Sequence, residues 1–393
     1  MTTSARRHEA HLLWASRPSL ALLLHAARFA PPIARVPRLG WIVRDPVLCR
    51  EVLNGHRHFT LVGEGGVGHL WAQVLGDYVT ELFDGPGHLR LRTKARDLFT
   101  TKTSADLVAG AFDAPLAELT ARLHAGETVD IADASRVLVG RMLATLLGLP
   151  TDRSDEEFRA IFAEGERLAA IALSTTSSTV LAPQAVTEAR EIVDRMTAGI
   201  PAGYRDAPPG TLLGRCRELD LGAEVTRGFA SLLLVAGTET AATAMSRAVA
   251  LLHDHGRVDA LLAEPDRVDD VVREVLRVVT PAPVIGRHVS ADVEIGGRLL
   301  RAGEQVLLLT YAANNAAGRF DPGRDYVPET RQLWFGGGRH LCLGAALAKA
   351  EMAALLHALV RTGRPWRVVH RRPARRVLIP RYESLQIALA GGS

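Results

Sequence analysis

The stretch from about Leu221 to Asp254 constrains the fold more than any other. It holds roughly 34 residues without a proline, with apolar positions at helical spacing. At 1.5 Å per residue that is a rod of about 50 Å, long enough to cross a whole domain, so the remaining elements must pack around it. From about Ser104 to Gly256 apolar residues keep recurring three and four apart, with short Gly, Pro or Ser/Thr breaks, as in packed helices. Strand-like runs flank this middle at Gly40–Val43, Val293–Ile295 and Gln305–Thr310, with turns at Gly296-Gly297 and Ala302-Gly303. No repeat, linker or composition shift divides the chain. The pattern predicts a mainly α fold with minor β sheets, one domain over residues 1–393.

Hydrophobic residues make up 47% and charged residues 23%, enough for a large core and too ordered a mixture for a disordered chain. The net charge of +4 comes from scattered arginines with no basic stripe, which argues against nucleic acid. The apolar run Leu20–Leu24 is broken by His25 and Arg28, far short of the ~20 residues a membrane span needs, and reads as one amphipathic helix. Arg6 and Arg7 precede it, but no small-residue cleavage pattern follows, so no export signal is expected. Cys49, Cys216 and Cys342 lack disulfide or zinc spacing, which favours a reducing, cytoplasmic setting.

The chemistry concentrates at Phe335-Gly-Gly-Gly-Arg-His-Leu-Cys342-Leu-Gly344. Its glycines let backbone approach something flat, and the cysteine stands just before a helix expected from about Ala345 to Leu359. The helix dipole and backbone N–H groups there would lower the thiol pKa. A thiolate would suit a haem iron that cleaves the O–O bond, whereas imidazole suits reversible oxygen binding. Read alone, the stretch leaves a lesser alternative, a glycine-rich turn around a buried structural cysteine. In the long helix lies Ala236-Gly237-Thr238-Glu239-Thr240, an acid and alcohols beside a poor helix former. Thr240 can turn its hydroxyl to the carbonyl of Ala236 and open a notch for dioxygen, with Glu239 supplying protons. By itself the pentapeptide is also readable as a packing seam.

Both stretches resemble the cytochrome P450 family: F-G-x-G-x-H-x-C-x-G around Cys342, including Phe335, Gly336, His340 and Gly344, and A-G-x-[DE]-T over Ala236–Thr240. Glu274-Val-Leu-Arg277 is similar to its E-x-x-R pair, which takes a third arginine downstream. Arg324 fills that place and Arg319 is the second candidate. His88-Leu-Arg-Leu-Arg92 resembles its propionate clamp, which Arg287 and His340 would complete. The chain departs from the family at Ala316, where an Asp is usual, at the aromatic displaced to Tyr326, and in the first 40 residues.

The resemblance implies a helical prism around haem b, with Cys342 as the axial metal ligand. It implies a monooxygenase that takes dioxygen and two electrons to oxidise a small, largely apolar organic molecule, a secondary metabolite. A separate ferredoxin and reductase would supply the electrons, meeting Arg90, Lys94, Arg96 and Arg339. The glycine-rich segment Thr60–Gly87 and the break at Leu173–Pro183 read as mobile walls or as ordinary loops. The substrate pocket is expected to be lined by Leu70, Trp71 and Val74, by Leu233 and Ala236, and by Val284 and Ile285. The rival functions are a haem-thiolate enzyme that couples or rearranges its substrate without inserting oxygen, and a haem-based ligand or gas sensor. A sensor has no need of the Glu239/Thr240 pair.

Overall fold

Gly222, at φ +77°, turns the chain into a helix that runs unbroken over Ala223–Asp254 in the computed structural model, which describes residues 3–76, 83–172, 180–377 and 379–391. Every residue from Ala241 to Leu252 is buried, so this half of the central helix is enclosed on all sides. It is long and apolar enough to cross a membrane, but 67% of its most apolar window is buried in protein, as in a core helix. The helices Ile131–Leu147, Val268–Val279 and Ala345–Val360 pack against it. The first of these starts where the Asp130 side chain accepts from the N–H groups of Ala132 and Asp133, and stops at Gly148 in the left-handed region, φ +83°.

Two small sheets flank this core. One has five strands in the order Ile33–Val36, Gly40–Val43, Gln305–Leu308, Ile285–Val289, Phe59–Thr60, with a parallel pairing between the second and third. The other joins Val129–Asp130, Tyr382–Leu389 and Trp366–Pro373. A separate hairpin pairs Val293–Ile295 with Arg298–Leu300 across Gly296-Gly297, both at positive φ as a tight two-residue turn requires.

The structure corrects three expectations. The strand begun at Gln305 ends at Leu308, because Leu309 spends its N–H on the Val43 carbonyl and Thr310 bonds the Ala282 carbonyl to open the helix Thr310–Asn315. The segment Thr60–Gly87 contains a helix, Val67–Leu75. Its Leu70, Trp71, Val74 and Leu75 recur at helical spacing and pack on Leu168, Ala189, Ile192 and Val193. Tyr78 and residues 173–179 lie outside the described residues, while Leu181 is tied to that helix through Gln73 Oε1 at 2.8 Å. Sheet structure also enters the helical middle at Val129–Asp130 and closes the chain at Trp366–Leu389, where no strands were expected.

Candidate functional site

Cys342 sits in a loop shaped by its glycines. Gly336 and Gly338 adopt φ +77° and +61°, and a Cβ on Gly338 would stand 2.3 Å from the Leu53 carbonyl oxygen, so only glycine fits there. The Cys342 N–H donates to the Phe335 carbonyl at 2.9 Å, and Gly344 precedes the helix Ala345–Val360. Although this loop lies against core elements, Cys342 has an exposed surface. Burial nonetheless pushes its thiol pKa up, against the Gly344 N–H and the Arg92 charge, which pull it down. The expected lowering by the helix end is therefore outweighed. A thiolate at this depth needs a cation on the sulfur.

Around the loop lie the expected cations, differently engaged from the resemblance. His88 Nε2 is 3.1 Å from the Arg339 carbonyl and Arg92 bonds the Leu341 carbonyl, so the helix Pro86–Ala95 staples the cysteine loop. The rings of His88 and His340 are 4.7 Å apart, and burial pulls His340 down to about 4, which leaves it neutral near pH 7. Arg287, in the strand Ile285–Val289, is buried and donates to the carbonyl of its neighbour Gly286 at 2.8 Å. Burial pushes its guanidinium down to about 10, with Asp84 the opposing charge. Spacing gave no sign of Asp84, which accepts from the N–H groups of Leu61 and Val62 and lies 3.5 Å from His340 Nε2.

These features fit a haem. Among the described residues, Arg287 is a buried cation with no bonded carboxylate. Cys342 and Ala236 are exposed although they stand on core elements. No atom lies within 4 Å of the Cβ direction of Gly344.

On the central helix the Thr240 hydroxyl donates to the Ala236 carbonyl at 2.6 Å and Thr238 to Leu234 at 2.8 Å, while the helix stays continuous. Gly237 lets the helix approach its neighbour, since a Cβ there would meet Leu143 at 3.2 Å. Burial raises Glu239 to about 7, opposed by Arg381, whose Nε lies 3.5 Å away. Arg381 also bonds Glu166. Both partners are remote in sequence and neither was anticipated.

Glu274 and Arg277, on the helix Val268–Val279, form a buried two-pronged pair at 2.6 and 2.8 Å. Arg277 also reaches the carbonyls of Asn314, Gly318 and Arg319, and the Asp321 N–H donates to Glu274 at 2.8 Å. Arg324 supplies the third cation at 3.4 Å, whereas Arg319 contributes only its carbonyl.

Of the expected pocket residues, the structure brings Leu70, Trp71 and Val74 together in one seam, where Val235 of the central helix joins them rather than Leu233. Leu233 packs on the main core, Val284 on Ala27, Ile42 and Leu309, and Ile285 on the core beneath the five-stranded sheet. Among the docking candidates, Arg90, Lys94 and Arg96 are exposed, and Arg339 reaches the carbonyls of Asp84 and Gly85 at 3.3 Å.

A family model described as cytochrome P450 matches residues 217–364. Cytochrome P450-SU2 of Streptomyces griseolus is 32% identical over 336 residues, covering 82% of this chain and 79% of that protein. Cytochrome P450 105A3 of Streptomyces carbophilus is 34% identical over 248 residues, 60% and 57% respectively. The matched region thus spans little more than half the length of that relative, and 51% of one from Bacillus subtilis. A mutant of P450 EryK in complex with erythromycin B superposes with a TM-score of 0.79 at 25% identity, over 96% of this chain and 98% of that one. The versatile P450 enzyme CYP109B1 from Bacillus subtilis gives 0.74 at 25% identity, over 95% and 100%. With the cysteine loop, the buried Glu274/Arg277 pair and the acid-alcohol helix all in place, the chain belongs to the cytochrome P450 family.

Proposed function

We propose that the protein is a monooxygenase that uses dioxygen to oxidise a small, largely apolar organic molecule of the secondary-metabolite class, with residues 1–393 acting as one unit. The observation that carries this reading is the Thr240–Ala236 bond beside a carboxyl raised to about 7, on a helix that also bears an exposed alanine. Haem b, when bound, supplies the redox chemistry of dioxygen activation. Cys342 would hold the iron, and Arg287, with His88, Arg92 and His340, would meet the propionates.

The chain's own residues orient, exclude water and move protons. Glu239, raised by burial to about 7, can both hold and give up a proton near neutral pH. That is the condition under which a carboxyl serves as a general acid. Thr240 keeps its hydroxyl oxygen free to accept while its hydrogen rests on Ala236. The Leu70, Trp71, Val74 and Val235 seam presents apolar surface to a substrate. EryK holds erythromycin B, which supports a bulky natural product as one member of the substrate class. Electrons would come from a separate acidic ferredoxin and its reductase meeting Arg90, Lys94 and Arg96. Three unpaired cysteines support a cytoplasmic setting.

The test is spectroscopic. Reduced, carbon-monoxide-treated holoprotein should show the red-shifted band of thiolate-ligated haem, and Cys342→Ser should lose it. A band retained in the serine variant would overturn the reading. A titration with a diverse compound library, followed by the haem spin state, would then identify the binders.

A further inference from the structure

A pocket of about 830 Å³ opens beside the acid of the central helix, lined by Arg136, Glu166 and Arg381 among others. Arg381 forms its floor. Its side chain is 6% exposed, its Nη2 bonds Glu166, and its Nε faces Glu239 Oε1 at 3.5 Å without a hydrogen-bond partner of its own. Glu166, on the helix Asp155–Ala172, keeps 32% of its side chain exposed, whereas Glu239 keeps 12%. One guanidinium therefore stands between an outer and an inner carboxylate and can neutralise only one of them. The nearer contact goes to the outer group.

The pocket around this pair is strongly basic: Arg167, held by Glu164 and Glu188, lines it together with Arg159, Arg372, Arg375 and Arg376. Arg136, from the helix Ile131–Leu147, bonds the carbonyls of Tyr382 and Glu383 at 3.1 and 3.0 Å, and shares the Phe162 ring with Arg381 at 5.4 and 5.7 Å from its centroid. Further out, Asp133 is taken by Arg159 and Glu383 by Arg372, and His11 of the N-terminal helix lines the rim.

We propose that Glu166 is a positioning residue for Glu239: as a carboxylate it draws Arg381 outward, so that the inner carboxyl keeps its proton. This competition for one guanidinium does not depend on Glu239 being the proton donor under the proposed function.

Two substitutions should move Glu239 in opposite directions, which a merely structural role would not do. Glu166→Gln leaves Arg381 wholly to Glu239, and its protonation midpoint should fall by about 1 pH unit or more, the effect of one uncontested opposite charge. Arg381→Gln removes that charge and should raise the midpoint. The measurement is the infrared carbonyl stretch of protonated Glu239 in the full-length holoprotein, identified by its loss in Glu239→Gln and followed against pH. Should Arg381→Gln not fold, Arg381→Lys retains the charge and should stay within a few tenths of the wild-type midpoint. A midpoint unchanged or raised in Glu166→Gln would overturn the proposal. If the infrared shifts occur but Glu239→Gln leaves product per electron unaltered, the competition stands and the donor reading fails. If Glu239→Gln uncouples while Glu166→Gln shifts nothing, the donor reading stands and the proposal fails.

Discussion

Of the carboxylate–guanidinium groups inside this molecule, those of Glu274 and Glu239 are built to opposite specifications. Glu274 accepts two bonds from Arg277, one from the Asp321 N–H and a longer one from Arg324, while Arg277 spends its remaining donors on three carbonyls. Glu239 has one guanidinium at 3.5 Å, already engaged by Glu166. The saturated group ties the helix Val268–Val279 to the chain that leads to the cysteine loop. The undersaturated group stays near the point of ionisation. Saturation serves architecture, and a deficit of partners serves proton transfer.

The largest effect should come from breaking the saturated group. Glu274→Ala strands a buried Arg277, and loss of one partner of such a pair costs about 3–5 kcal/mol. Denaturant unfolding of the holoprotein should show that loss together with release of haem. Glu239→Gln, by contrast, removes a carboxyl the fold barely uses and should change stability at pH 7 far less. Equal destabilisation by the two would erase the distinction.

Next in size is the catalytic consequence of the second group. Glu239→Gln should lower the rate of product formation by about 100-fold, the lower range for a positioned general acid and about 2.7 kcal/mol of barrier. Thr240→Ala should leave electron consumption running while product per electron falls. Stopped turnover with tight coupling in Thr240→Ala would count against proton delivery.

The two groups also differ in how legible they were. Glu274 and Arg277 stand three apart on one helix, a spacing common on any solvated helix that gained weight only from the resemblance, whereas the Cys342 loop carried its own signature in glycines that the backbone geometry demands. Arg381 and Glu166 come from a C-terminal segment and a distant helix, and tertiary packing alone brings them to Glu239. The same cause hid Asp84, which meets His340 across the chain. The strands Trp366–Pro373 and Tyr382–Leu389 were missed because their apolar positions do not alternate cleanly, a bulge shifting the register near Gln386. The helix Val67–Leu75 was readable by its spacing, but its glycine-rich flanks suggested a loop.

A pH series sharpens the comparison further. Glu239 is raised from 4.5 to about 7 and Glu351, buried with Oε1 unpartnered, to about 8. For a carboxyl raised on folding, the folded state binds more protons between the unfolded and folded pKa values. The stabilisation is complete below about 4.5 and is lost as pH climbs through 7 for Glu239 and 8 for Glu351. Thermal unfolding should therefore show stability declining from pH 5 to 8, and Glu351→Gln should flatten the upper part of that decline while matching wild type at pH 5. A parallel offset at every pH would show that Glu351 acts through packing instead.

The smallest effect separates the two arginines that compete for the third place in the saturated group. Arg324 reaches Glu274 at 3.4 Å with a side chain 25% exposed, so its truncation should cost about 1 kcal/mol, near the upper end for a partly exposed pair. Arg319 offers its backbone carbonyl to Arg277 and Arg324, a contact any side chain preserves, and its own side chain is exposed. Arg319→Ala should then stay within about 0.5 kcal/mol of wild type. The double variant should equal Arg324→Ala alone, since only one of the two side chains touches the network. A larger loss in the double variant would mean that the Arg319 side chain takes over when Arg324 is gone, and that the third cation of this network is interchangeable.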